Sequence, residues 1–167
     1  MVRTYNGAIG GKTGFTQDAG YCLALAAKRD NTMLIGVVLG SETSDIRFKE
    51  MARMLDYGFA KYTTIIVADK GQPIKDVKIE KGQVEKIKAV AEENIGITVT
   101  KGDEKSITYK IKIDDKIKLP LKKGDKIGNV IIMEDNVKKA EYNIVSDRNV
   151  DRANFRTTYI RMIKKMI

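Results

Sequence analysis

The chain has 167 residues, 43% of them hydrophobic and 32% charged, with two prolines, one cysteine and no tryptophan. This is ordinary globular material with room for one domain or one and a half. One cysteine excludes an internal disulfide framework and a cysteine metal cluster. The absence of histidine removes Ser-His-Asp and Cys-His chemistry and most zinc sites, so no metal and no cofactor are expected.

The net charge of +9 favours polyanionic surroundings, whether nucleic acid, anionic lipid or an acidic wall polymer, and does not choose among them. The first 13 residues place glycines and polar side chains where a secretory signal needs an apolar run. No apolar stretch approaches the ~20 residues that span a bilayer. If the protein is exported, its signal is expected upstream of this chain, which suggests a fragment.

In chain order, residues 21–27 (YCLALAA) and 33–39 (MLIGVVL) are nearly continuous apolar runs joined by the polar residues 28–32. They predict a hairpin of strands that need cover on both faces. From residue 46 to 62, Phe48, Met51, Met54 or Leu55, and Phe59 recur at helical spacing, with Ser44 or Asp45 as N-cap. This predicts a helix across one face of the sheet.

From residue 64 the texture changes to brief alternating segments punctuated by Gly71, Gly82, Gly102 and Gly124, which suits a small antiparallel sandwich or barrel. The boundary is expected near residues 62–65. Lys78, Lys110 and Lys112 alternate with Val77, Ile111 and Ile113, the pattern of a solvated strand face that discourages edge pairing. No aromatic side chains are interleaved as stacking platforms, and nucleic acid is not an expected partner.

Residues 151–167 change period again. On a helix, Phe155, Tyr159, Met162, Ile163 and Met166 form one stripe, flanked by Arg152, Arg156, Arg161, Lys164 and Lys165. A basic amphipathic helix of this kind suits an anionic membrane surface. A helix packed on its own domain, or a truncated stalk, is the alternative.

Residues 9–16 (IGGKTGFT) carry the chemistry. Acyl transfer at a peptide carboxyl end requires a grip on a carboxylate, an aligned extended backbone and a stabilised oxyanion. A strand edge can supply all three. Lys12 would give a fixed positive charge, the Thr13 hydroxyl a hydrogen bond, and Gly14 room for substrate backbone to pair as an added strand.

IGGKTGFT, then AGYCLALAAKRD, LIGVVLGS, Arg47 and LDYGFAKY together resemble the low-molecular-mass penicillin-binding proteins that act as serine-type D-alanyl-D-alanine carboxypeptidases. KGQPIKDVKIEKG, ITVTKGD and LPLKKGDKIGNV resemble that family's β-rich C-terminal domain. The resemblance implies an α+β fold: a fragment of antiparallel strands and a helix from a β-lactamase/transpeptidase-like domain over residues 1–63. An all-β antiparallel sandwich-like domain over 64–150 and the basic terminal helix over 151–167 would follow. It further implies that Lys12 and Thr13 hold the substrate carboxylate, that the Phe15 N–H is one oxyanion donor, that Arg47 anchors or orients the carboxylate region, and that Thr16 supports them. Peptidoglycan stem peptides and β-lactams would be the ligands of the intact enzyme, on the outer face of a bacterial membrane.

Three departures bear on this. Ser41, Ser44, Ser106 and Ser146 are followed neither by lysine three residues on nor by asparagine two on, so the family's nucleophile, base and Ser-x-Asn element are missing and no acyl-enzyme is expected from this chain alone. Ile9 stands at an often acidic position, and Phe15 where many relatives have histidine or tyrosine. With its catalytic partners missing, the apolar hairpin is expected to be covered by a second copy of the chain or by a separate N-terminal piece. The non-enzymatic alternative is an envelope-associated binding or spacing module.

Overall fold

The computed structural model describes residues 4–154, which fall into two compact units. One comprises residues 4–65 and 98–104, the other residues 66–97 and 105–154. The predicted membrane-facing positions Phe155, Tyr159, Met162, Ile163 and Met166 lie outside the described residues.

The first unit is an antiparallel sheet in the order β1-β2-β3, formed by β1 (Ala8–Thr16), β2 (Gly20–Arg29) and β3 (Thr32–Ser41), with α1 (Ser44–Lys61) against it. The β2–β3 hairpin is tighter than the polar stretch 28–32 suggests. Lys28 pairs with Met33 and Arg29 with Thr32, and Asp30 takes the positive φ of 51° that a two-residue turn demands.

Helix α1 begins earlier than its apolar stripe implies. Thr43, rather than Ser44 or Asp45, is the N-cap, and its hydroxyl accepts the Ile46 N–H. Met51, Leu55 and Phe59 are buried and pack with Leu23, Leu25 and Ala27 of β2, while Met54 stays 41% exposed. The helix covers one face of the sheet only. On the other, Met33, Ile35, Val37 and Leu39 of β3 are 55–74% exposed.

After β4 (Tyr62–Ala68), the second unit contains β5 (Pro73–Lys78), β6 (Lys86–Ala91), β8 (Ile107–Ile113), β9 (Lys126–Glu134) and β10 (Val137–Ser146), arranged in a five-stranded sheet in the order β5-β6-β10-β9-β8. β7 (Ile95–Thr100) pairs with β4 in a separate two-stranded sheet. Alternation along each strand sends Val77, Ile87, Ala89, Val130, Ile132 and Ile144 into one core. Tyr142 Oη donates to the Gly96 carbonyl at 2.6 Å, so its polar end is satisfied at the edge of that core. Antiparallel strands with one helix, then a β-rich region, is the architecture expected from the sequence.

Candidate functional site

All five residues 12–16 lie on β1, an edge strand, and all are exposed. Gly11 fixes which way each faces. A Cβ there would meet the Leu25 side chain at 2.8 Å, and Leu25 belongs to the core under α1. Period-two alternation therefore turns Thr13 and Phe15 toward the helix side and Lys12 and Gly14 toward the open face.

The Lys12 ammonium donates to the Thr13 carbonyl at 3.0 Å and, among the described residues, forms no ion pair. Among the described residues a Cβ on Gly14 would find only Cys22 Cβ, at 3.8 Å, so none of them demands glycine there. The Phe15 ring lies 4.4 Å from that of Tyr21, at 37° between planes.

The Thr16 hydroxyl accepts the Ala19 N–H at 3.0 Å and shapes the turn into β2. Gly20 closes that turn at φ +64°, where a Cβ would crowd the Ser41 carbonyl oxygen at 3.1 Å.

Arg47 is 8% exposed. Its Nη1 donates to the Gly14 carbonyl at 3.2 Å and to the Cys22 carbonyl at 3.4 Å, and Nη2 to Ser44 Oγ at 3.3 Å. The guanidinium carbon sits 5.4 Å from the Tyr21 ring centroid and 4.8 Å from that of Phe48. Neither Asp45 nor Glu50 of α1 forms an ion pair with it among the described residues; Glu50 instead accepts from Ser41 Oγ at 2.5 Å. Arg47 thus joins β1, β2 and α1 directly behind the Lys12–Gly14 segment.

Comparison with known proteins agrees along nearly the whole chain. The D-alanyl-D-alanine carboxypeptidase family matches residues 1–43, and the family described as penicillin-binding protein 5, C-terminal domain, matches residues 62–152. The chain belongs to the low-molecular-mass penicillin-binding proteins. Among relatives in this family, the D-alanyl-D-alanine carboxypeptidase DacF of Bacillus subtilis is 32% identical over 158 residues, 94% of this chain and 41% of that protein. DacA of Haemophilus influenzae is 33% identical over 146 residues, 86% of this chain and 37% of its own length. The solved structure of penicillin binding protein 5 from Haemophilus influenzae superposes with a TM-score of 0.76 at 31% identity, covering 90% of this chain and 44% of that one. The chain therefore spans about two fifths of the length of these penicillin-binding proteins.

Sequence reasoning did not find the companions of Arg47, because Tyr21, Ser44 and Phe48 come from two different elements and only the fold stacks them. Nor did it find the cluster at the other end of this unit. There Arg29 lies between the rings of Tyr5 and Phe59, 5.1 and 4.5 Å from their centroids. Asp56 Oδ1 accepts from Arg29 Nη2 at 3.0 Å and from Tyr5 Oη at 2.8 Å. Burial, then the Asp56 hydrogen bond, pushes the Tyr5 phenol up to about 12.

Proposed function

We propose that this chain forms one wall of the active site of a serine-type D-alanyl-D-alanine carboxypeptidase acting on peptidoglycan stem peptides outside a bacterial membrane. The observation that carries the reading is the pairing, on one strand edge, of an ammonium without a carboxylate partner and a glycine that no contact requires, both among the described residues. A D-Ala-D-Ala terminus would lie along β1 as an added strand. Lys12 supplies the charge from the open face, and the exposed Thr13, on the helix side of the same strand, brings its hydroxyl to the terminal carboxylate at the free edge of β1. Gly14 admits the substrate backbone, and the Phe15 N–H stabilises the oxyanion.

The attacking serine and its lysine base belong to a Ser-x-x-Lys element that these 167 residues do not contain, so the chain alone forms no acyl-enzyme and stays inert to β-lactams. The segment bearing that element, or a second copy of this chain, covers the exposed Met33, Ile35, Val37 and Leu39. The basic stretch 151–167 meets an anionic membrane surface.

Amide NMR during titration with N-acetyl-D-Ala-D-Ala tests the grip on the carboxylate. Shifts centred on residues 12–16, with affinity lowered about 10- to 100-fold by Lys12→Gln, are expected from losing one charge-assisted contact. Binding that ignores Lys12→Gln rejects the reading.

A further inference from the structure

Among the described residues Arg47 is a buried cation with no carboxylate within ion-pair distance, and its Nε has no hydrogen-bond partner there. Burying a charge without a counter-ion is costly. Two aromatic faces, two backbone carbonyls and one hydroxyl offset part of that cost. A neutral side chain of similar size would hold α1 to the sheet more cheaply. The position of the charge therefore calls for a reason beyond packing.

The two carbonyls supply one. Gly14 and Cys22 are directly opposed in the β1–β2 ladder, and a single nitrogen reaches both of their oxygens, at 3.2 and 3.4 Å. Both oxygens therefore point into the gap between the strands, as they do in a hydrogen-bonded antiparallel pair, and not away from it, as in the alternating non-bonded pair. In such a pair the N–H and C=O of one residue face the partner strand, and those of the next residue face outward. Because a trans peptide holds its C=O and N–H on opposite sides, the Gly14–Phe15 peptide sends its oxygen to Arg47 and its N–H out of the free edge of β1.

We propose that Arg47 is a positioning residue that acts through this one peptide: its guanidinium, bonded to the Gly14 oxygen, polarises the Gly14–Phe15 amide and makes the outward Phe15 N–H a stronger donor. A positive charge at the carbonyl end favours the amide resonance form that places negative charge on oxygen and positive charge on nitrogen. The effect is delivered by a group held in place before any ligand arrives. Use of that N–H on a developing oxyanion rests on the function proposed above; the polarisation itself does not.

Base-catalysed amide exchange reads it without substrate or turnover, since the cation also stabilises the deprotonated amide formed during exchange. Thr13 is the internal control. Its N–H leaves the same edge, two residues away, and its peptide oxygen, that of Lys12, makes no bond to Arg47. The measurement belongs in the Lys12→Gln chain, so that the Lys12 ammonium does not act on the same strand. There, after correction for intrinsic sequence effects, Phe15 is expected to exchange roughly tenfold or more faster than Thr13. Adding Arg47→Gln brings the ratio close to one.

Equal rates in Lys12→Gln, or an excess that survives Arg47→Gln, overturns the proposal, as do changes in both amides alike, which would mark Arg47 as a strand fastener only. If the double variant does not fold, the ratio in Lys12→Gln decides alone. A normal ratio with no dipeptide binding would sink the functional reading and leave this inference standing.

Discussion

Gly11 and Gly14 are neighbours on one strand with opposite reasons for being glycine. At Gly11 a Cβ would press on the Ala24 carbonyl oxygen at 2.7 Å and on Leu25 Cδ1 at 2.8 Å, so the fold itself excludes a side chain. At Gly14 the nearest atom is 3.8 Å away, so no contact among the described residues excludes a side chain, and glycine there is accounted for only by the proposed ligand. Gly11→Ala should then lower stability by about 1–3 kcal/mol through overpacking. Gly14→Ala should leave it within about 0.5 kcal/mol and abolish dipeptide binding. Chemical denaturation and the NMR titration separate the two; a Gly14→Ala protein that binds normally would remove Gly14 from the site. The family was legible because Lys12-Thr13-Gly14 stands in a recognisable order of segments. The burial of Arg47 was not, because hydropathy assigns an arginine to the surface and nothing local signals the two rings that flank it.

The strands were legible from their alternation and glycine punctuation, and the helix from its apolar stripe. What escaped was set by single hydrogen bonds and long-range pairing. Thr43 wins the cap because its hydroxyl reaches the Ile46 N–H. Residues 98–104 share the alternating texture of the β-rich region yet cluster with the first unit, where the Lys101 N–H donates to the Lys61 carbonyl and Lys101 Nζ to that of Phe59 at the end of α1.

The Tyr5–Asp56–Arg29 cluster gives this unit a pH signature of its own. The folded state raises the Tyr5 pKa from 10.0 to about 12, so this contribution is complete below pH 10 and is lost as pH climbs toward 12. The Tyr5 hydrogen bond holds the Asp56 carboxyl below its ordinary value, so that contribution is present above the usual carboxylate range and fades as pH falls through the lowered pKa. Thermal midpoints measured from pH 9 to 12 should fall less steeply in Tyr5→Phe than in the parent chain. An identical alkaline slope would show that the phenol is not linked to folding.

At the scale of the whole molecule, the two matched family regions account for most of the chain, and the net charge of +9 suits an envelope rich in anionic polymer. The apolar hairpin was expected to be covered on both faces. It is covered by α1 on one, while the face bearing Lys12 and Gly14 also carries the exposed Ile35, Val37 and Leu39. These apolar side chains share that face with the proposed carboxylate grip, the kind of exposed patch that marks an interaction surface.

On the function proposed above, these residues supply the grip and not the nucleophile. Intact-mass analysis after exposure to a fluorescent penicillin tests it, comparing this chain alone with the same chain joined to an N-terminal portion carrying a Ser-x-x-Lys element. No adduct is expected on the chain alone. One adduct per joined protein is expected, on the added serine, formed roughly 10- to 100-fold more slowly after Lys12→Gln. An adduct on the chain alone, or a labelling rate indifferent to Lys12→Gln, would contradict the proposed function.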